Sequence, residues 1–109
     1  MQDKITKILK AVSDPTRREI FHALVVAATA LPITQISSQF DMSRQGVTKH
    51  LKTLETAGLV HIDTQGRERF CYANANPLKE INQWLHFYEQ FWDNAITDLG
   101  NYLDTKNEQ

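Results

Sequence analysis

"SRQGVTKHLKTLETAGLV", residues 43–60, decides how this chain is read. Val47, Leu51 and Leu54 fall at i, i+4 and i+7, the spacing of a buried stripe on an amphipathic helix. At about 100° per residue, Gln45, Thr48, Lys49 and Lys52 fan across the opposite side. Ser43 suits the N-cap, where its hydroxyl can accept from a free backbone N–H. Gly58 suits the place just past the last turn, where a left-handed backbone is wanted. The spacing therefore predicts a capped helix of about four turns over residues 43–57. Arg44, Lys49, His50 and Lys52 fall within nine residues with no acid among them, which leaves the side opposite the stripe cationic. Such a helix has the chemistry for lying in a DNA groove.

Upstream, Ile5, Ile8, Leu9 and Val12 mark a short first helix. Ser13-Asp14-Pro15 closes it and opens a second, with Asp14 as N-cap and Pro15 at the first helical position. Ile20, Phe21, Leu24, Val25 and Ala28 supply the core side of that second helix. Leu31-Pro32-Ile33 reads as a brief extended link, and Thr34 as the cap of a third helix whose apolar pair is Ile36 and Phe40. Only Asp41 and Met42 separate that helix from Ser43, and two short helices across so tight a turn read as helix-turn-helix.

Downstream, residues 59–63 and 67–73 are β-rich runs around Thr64-Gln65-Gly66, a hairpin signal. Asn76-Pro77 repeats the cap-plus-proline start. Leu78, Ile81, Leu85, Tyr88, Trp92, Ala95, Leu99 and Tyr102 then recur by threes and fours, predicting a long helix over about 77–104. The expected fold is mainly α with a small β-hairpin, five helices in one domain covering residues 1–109.

Composition narrows the function classes. The chain has 109 residues, 41% hydrophobic and 23% charged, the proportions of an ordinary globular domain. One cysteine, Cys71, allows no internal disulfide and no CxxC pair. The charged N-terminus does not read as a signal peptide, and the apolar run from Ala23 to Ile33 is too short to span a bilayer, so a reducing cytoplasm is expected. The formal net charge of −1 hides an asymmetry. Residues 1–77 hold 10 Lys and Arg against 7 Asp and Glu, whereas residues 78–109 hold 2 against 6. The first region can approach phosphates and the second would be repelled by them. No nucleophile elbow, HExxH, P-loop or dinucleotide glycine pattern is present, and the four histidines are scattered. An enzyme is not expected, nor a cofactor.

Three stretches taken together, Ala11-Val12-Ser13-Asp14-Pro15-Thr16-Arg17-Arg18-Glu19-Ile20, Met42 through Leu54, and Ala57-Gly58-Leu59-Val60, resemble the ArsR family of bacterial transcription regulators. The resemblance covers almost the whole chain. It implies a winged helix-turn-helix fold, a homodimer, and repression relieved by a signal. It makes the helix from Ser43 the recognition helix, residues 59–73 the wing, and the first and last helices the dimer interface, through Ile5, Ile8, Leu85, Tyr88, Trp92 and Leu99.

The side chains suit these roles. Ser43 and Thr48 can donate hydroxyl hydrogen bonds to phosphates, and Lys49 and Lys52 supply charge. Arg44 and Gln45 can pair bidentately with guanine and adenine edges of double-stranded DNA. Arg67 and Arg69 flank the hairpin turn, where a wing meets phosphates or the minor groove. His50 borders the apolar stripe, so packing and phosphate contact are both open to it. Gly46, costly inside a helix, suggests close approach of the preceding helix or the DNA backbone.

Sensing residues are less evident. Many ArsR relatives carry a cysteine-rich metal signature in the third helix. Residues 34–40 here, TQISSQF, have no thiol, which removes a soft-metal site. His86, Glu89 and Asp93 share one side of the last helix, yet one histidine beside carboxylates reads more simply as a solvated face. Cys71, alternating with Phe70 and Tyr72, reads as a small packing residue. Trp84, Phe87, Phe91 and Trp92 point in more directions than one small domain can cover, which favours a second copy of the chain. The same aromatics could line a pocket for an apolar small-molecule effector between subunits, although dimer core is the simpler use. A protein-interaction module without specific DNA readout is the competing reading, and the basic helix and wing arginines argue against it.

Overall fold

A computed structural model describes residues 3–107, with the side chains of 93–98 and 104–107 outside the description. The described residues form five helices and three strands: α1 Lys4–Val12, α2 Pro15–Ala27, β1 Leu31–Pro32, α3 Ile33–Gln39, α4 Arg44–Thr56, β2 Val60–Gln65, β3 Glu68–Ala73 and α5 Leu78–Asn107. The antiparallel sheet has the order β1-β3-β2. This is the winged helix-turn-helix fold expected from the sequence.

Helix starts follow local chemistry. The Asp3 carboxylate accepts from Thr6 N–H at 2.7 Å, and the Asp14 carboxylate from Arg17 N–H at 3.0 Å with Pro15 beside it. Both carboxylates are held below their ordinary pKa, first by those backbone N–H bonds. Ser43 Oγ accepts from Gly46 N–H at 3.0 Å, as its sequence position predicts. Thr34 does not cap α3. Pro32 holds that position without a side-chain bond, because β1 carries the chain straight into the helix.

The extended link at Leu31 is a strand in its own right. Leu31 pairs with Cys71 and Pro32 with Phe70, so the expected hairpin becomes a three-stranded sheet. The hairpin turn itself is Gly66-Arg67, with Gln65 opposite Glu68. Gly66 sits at φ +64°, the first position of a two-residue turn where glycine carries no steric penalty.

The core lies where α1, α2, α3, α4 and the sheet converge. Val47, Leu51 and Leu54 of α4 are fully buried against Ile20 and Leu24 of α2, Ile36 of α3 and Leu59 ahead of β2. Two expectations for α2 change. Val25 is exposed, and Ala28 is not a core residue but the left-handed C-cap at φ +54°. α5 begins one residue later than expected, through three tight bonds from Leu78, Lys79 and Glu80 N–H to the carbonyls of Ala75, Asn76 and Pro77. Among the described residues of α5, Leu78 and Ile81 of its first turns pack on the core. The 30-residue helix then extends the molecule to 73 Å in a body otherwise 28 × 27 Å.

Candidate nucleic-acid interface

The second helix of the helix-turn-helix is set by a pinned turn. Asp41 adopts φ +51°, a left-handed conformation that Asp tolerates better than most residues. Ser37 and Met42 close the turn from both sides: the Ser37 hydroxyl donates to the Met42 carbonyl, and Met42 N–H donates to the Ser37 carbonyl. At its other end α4 finishes in a Schellman arrangement. Gly58 N–H reaches the Glu55 carbonyl at 2.9 Å and Leu59 N–H the Leu54 carbonyl at 3.0 Å, with Gly58 at φ +77°. Leu54 and Leu59, both buried, supply the apolar contact that accompanies such an end.

With both ends held, the polar side of α4 faces out. Ser43, Arg44, Gln45, Lys49 and Lys52 are exposed. The Ser43 cap uses only the hydroxyl's acceptor capacity, which leaves its hydrogen for an outside partner. Thr48 differs from expectation: its hydroxyl donates to the Arg44 carbonyl at 2.7 Å, so it offers an acceptor rather than a donor. Gly46 has a local reason, since a Cβ there would sit 3.2 Å from the capping Ser43 Oγ and 3.4 Å from Met42 Cε.

The sheet brings the distant arginines to this helix. Arg44 and Thr48 of α4, Arg67 of the turn, Glu68 and Arg69 of β3, and Ile33 line one groove of about 250 Å³. Three guanidinium groups thus share a concave surface with a single carboxylate. Residues far apart in sequence form one basic cleft, suited to a phosphate backbone passing beside a helix in the groove.

His50 is drawn inward. It is half-buried, and its Nδ1 lies 3.5 Å from Nη1 of Arg17. Arg17 itself was missed as a structural residue, because its partners are backbone carbonyls. Its Nε donates to the Ala11 carbonyl at 2.8 Å and Nη2 to that of Lys10 at 3.1 Å, while Arg18 donates to that of Val12 at 2.5 Å. The two arginines therefore close the end of α1.

The residues assigned to a dimer interface divide. Ile8 is 2% exposed inside its own chain's core and has no surface left to offer a partner. Ile5 and Leu85 are half-buried, and Tyr88, Trp92 and Leu99 are exposed. Rings along α5 touch in series, Trp84 with Tyr88, Tyr88 with Phe87, and Phe87 with Phe91, at centroid separations of 5.4, 5.2 and 5.4 Å. Phe87 remains 58% exposed.

His86 Nδ1 approaches Glu89 Oε2 at 3.2 Å on an exposed face, and the side chain of Asp93 lies outside the described residues. Among the described residues no three His, Cys, Asp or Glu side chains gather as a metal site, and no helix is long and apolar enough to cross a membrane. Cys71 is fully buried, and that burial pushes its thiol up to about 11.

A helix-turn-helix domain family matches residues 12–63. The chain is 38% identical over 79 residues to YuzN, an HTH-type transcriptional regulator of Bacillus subtilis (strain 168), covering 68% of this chain and 86% of YuzN. It is 26% identical over 92 residues to the transcriptional repressor SdpR of the same organism, covering 84% of this chain and all of SdpR. The solved ArsR-like transcriptional regulator from Rhodococcus sp. RHA1 superposes with a TM-score of 0.70 at 26% identity, over 91% of this chain and 92% of that one. With the basic cleft built on the same fold, the chain belongs to the ArsR family of winged helix-turn-helix transcriptional regulators, DNA-binding proteins rather than enzymes.

Proposed function

We propose that this chain is a homodimeric repressor that reads an inverted-repeat operator through the major groove. The observation that carries the reading is the convergence of Arg44, Thr48, Arg67 and Arg69 on one groove, beside the exposed Gln45, Lys49 and Lys52. In this arrangement α4 enters the major groove, with Arg44 and Gln45 at base edges. Lys49, Lys52 and the Ser43 hydroxyl hold phosphates, and Arg67 and Arg69 of the wing take the flanking backbone.

Association rests on α5. An aromatic ladder left exposed along a projecting helix is a surface that a second copy covers by two-fold symmetry. Two copies then place their α4 helices about 34 Å apart, one helical turn of DNA. Repression is supported by the likeness to SdpR, a transcriptional repressor. An apolar effector seated among the α5 aromatics would act by altering that spacing, and action on chromosomal DNA places the chain in the cytoplasm.

Selection from a random duplex library with the purified chain tests the reading, with sedimentation of the free protein alongside. The expected result is an enriched inverted repeat with half-sites about one turn apart, bound by a dimer. A folded chain that enriches no sequence would overturn it and leave the cationic helix as a non-specific contact.

A further inference from the structure

The one carboxylate in the basic groove calls for a reason. Glu68 stands between Arg67 and Arg69, where a phosphate backbone would be repelled by it. Its partner is Thr34, whose Oγ1 donates to Glu68 Oε1 at 2.9 Å across 34 residues of sequence, with both residues half-buried.

The register explains the meeting. β1 pairs Leu31 with Cys71 and Pro32 with Phe70, and the same antiparallel count carried two steps further sets Thr34 opposite Glu68. By then the backbone has turned into α3, so no ladder bond can form there. The Thr34 hydroxyl and the Glu68 carboxylate continue the ladder through side chains. This bond ties the turn end of the wing to the first turn of the helix-turn-helix. Arg44 projects from one of those bodies, Arg67 and Arg69 from the other.

We propose that Glu68 is a positioning residue for operator recognition. By accepting the Thr34 hydroxyl it holds the wing arginines at a set span from Arg44, and it thereby controls sequence preference more than total affinity. The proposal rests on the DNA-binding reading above. A wing free to swing would still find phosphates on any duplex, since that attraction is non-directional. It would lose the simultaneous fit of wing and recognition helix that only the preferred sequence rewards.

The test measures binding of the full chain to the selected duplex and to an unrelated duplex of equal length, by fluorescence anisotropy at one salt concentration. Glu68→Ala and the isosteric Thr34→Val are expected to lower the ratio of the two affinities about tenfold, mainly by weakening the selected duplex. Glu68→Gln keeps an acceptor for Thr34 while removing the charge, and Thr34→Ser keeps the donor. Both should hold the wild-type ratio, with Glu68→Gln binding every duplex a few-fold tighter. The double variant Thr34→Val/Glu68→Ala should be no worse than either single one. Circular dichroism melting confirms that each variant is folded, and a loss of stability alone would not change the ratio. An unchanged ratio in Glu68→Ala and Thr34→Val, or additive losses in the double variant, would overturn the positioning role while leaving the DNA-binding reading intact. A wild-type chain with no preference between the duplexes overturns both.

Discussion

Arg17 and His50 join the start of α2 to α4: the guanidinium Nη1 stands 3.5 Å from the imidazole Nδ1. A guanidinium carries only donors, so a hydrogen bond between the two groups requires Nδ1 to be the acceptor. The same guanidinium holds the carbonyls of Ala11 and Lys10, so one side chain fastens α1, α2 and α4.

Arg17→Ala should therefore destabilise the domain by about 1–3 kcal/mol, the cost of stranding half-buried acceptors. Arg17→Lys should restore little, because an ammonium lacks the planar fork. Urea denaturation of the three proteins checks this.

Acid should loosen the same corner. The Asp14 carboxylate is held below its ordinary pKa, first by the Arg17 N–H, then by the positive charge of Arg17 and the neighbouring His50. A depressed carboxylate contributes stability that is whole above the unfolded value of about 3.9 and is lost as pH falls through the lower folded value. The melting temperature should drop below about pH 4, and Asp14→Ser, which keeps a cap without the charge, should flatten that drop. Melts across pH 2.5–6 compare the two, the range being about that of carboxylate titration.

Lys49→Ala and Lys52→Ala should weaken binding to every duplex alike. Each should reduce the slope of log affinity against log salt by about 1. Gln45→Ala should instead change which base is preferred at one position, read by repeating the library selection. An unaltered preference would remove Gln45 from base readout.

The Cys71 thiol should be nearly inert in the folded chain. Burial raises it to about 11, the charge of Glu55 adds to the rise, and Arg69 opposes it. At pH 8 only about one thiol in a thousand is ionised, so a thiol-reactive dye should label the folded protein far more slowly than the urea-unfolded one. Equal rates would show an open site.

Ala28→Gly should stabilise the chain by about 0.5–1 kcal/mol. Alanine at φ +54° carries a Cβ penalty that glycine lacks, partly offset by glycine's greater freedom when unfolded. Thermal melts at equal protein concentration measure it.

What could be read from the sequence was local. Asp14, Ser43 and Gly58 are legible because a cap depends on residues within four positions, and Val47, Leu51 and Leu54 because a stripe depends on one helix. What escaped was contact across the chain. Leu31-Pro32 looks like a link until β3 arrives to pair with it. Thr34 looks like a cap until Glu68 takes its hydroxyl, and Thr48 looks like a phosphate donor until the Arg44 carbonyl does. Ile8 and Ile5 share one helix, and only packing tells which of them faces inward. Of the interface, the residues of α4 were visible individually. Their meeting with Arg67 and Arg69 around one groove came from the sheet.

The glycine that ends α4 has a mechanical meaning. Gly58 lies where a Cβ would be 3.4 Å from Pro77 Cγ, its carbonyl takes the Asn74 amide at 3.3 Å, and Asn74 N–H reaches the Leu59 carbonyl at 2.8 Å. The end of α4, the root of the hairpin and the threshold of α5 are thus one knot of a few residues. α5 is the long arm of a lever whose fulcrum is that knot. In the dimer proposed above, a small change of pitch between two paired α5 arms would turn each α4 as a whole, with no element having to unfold.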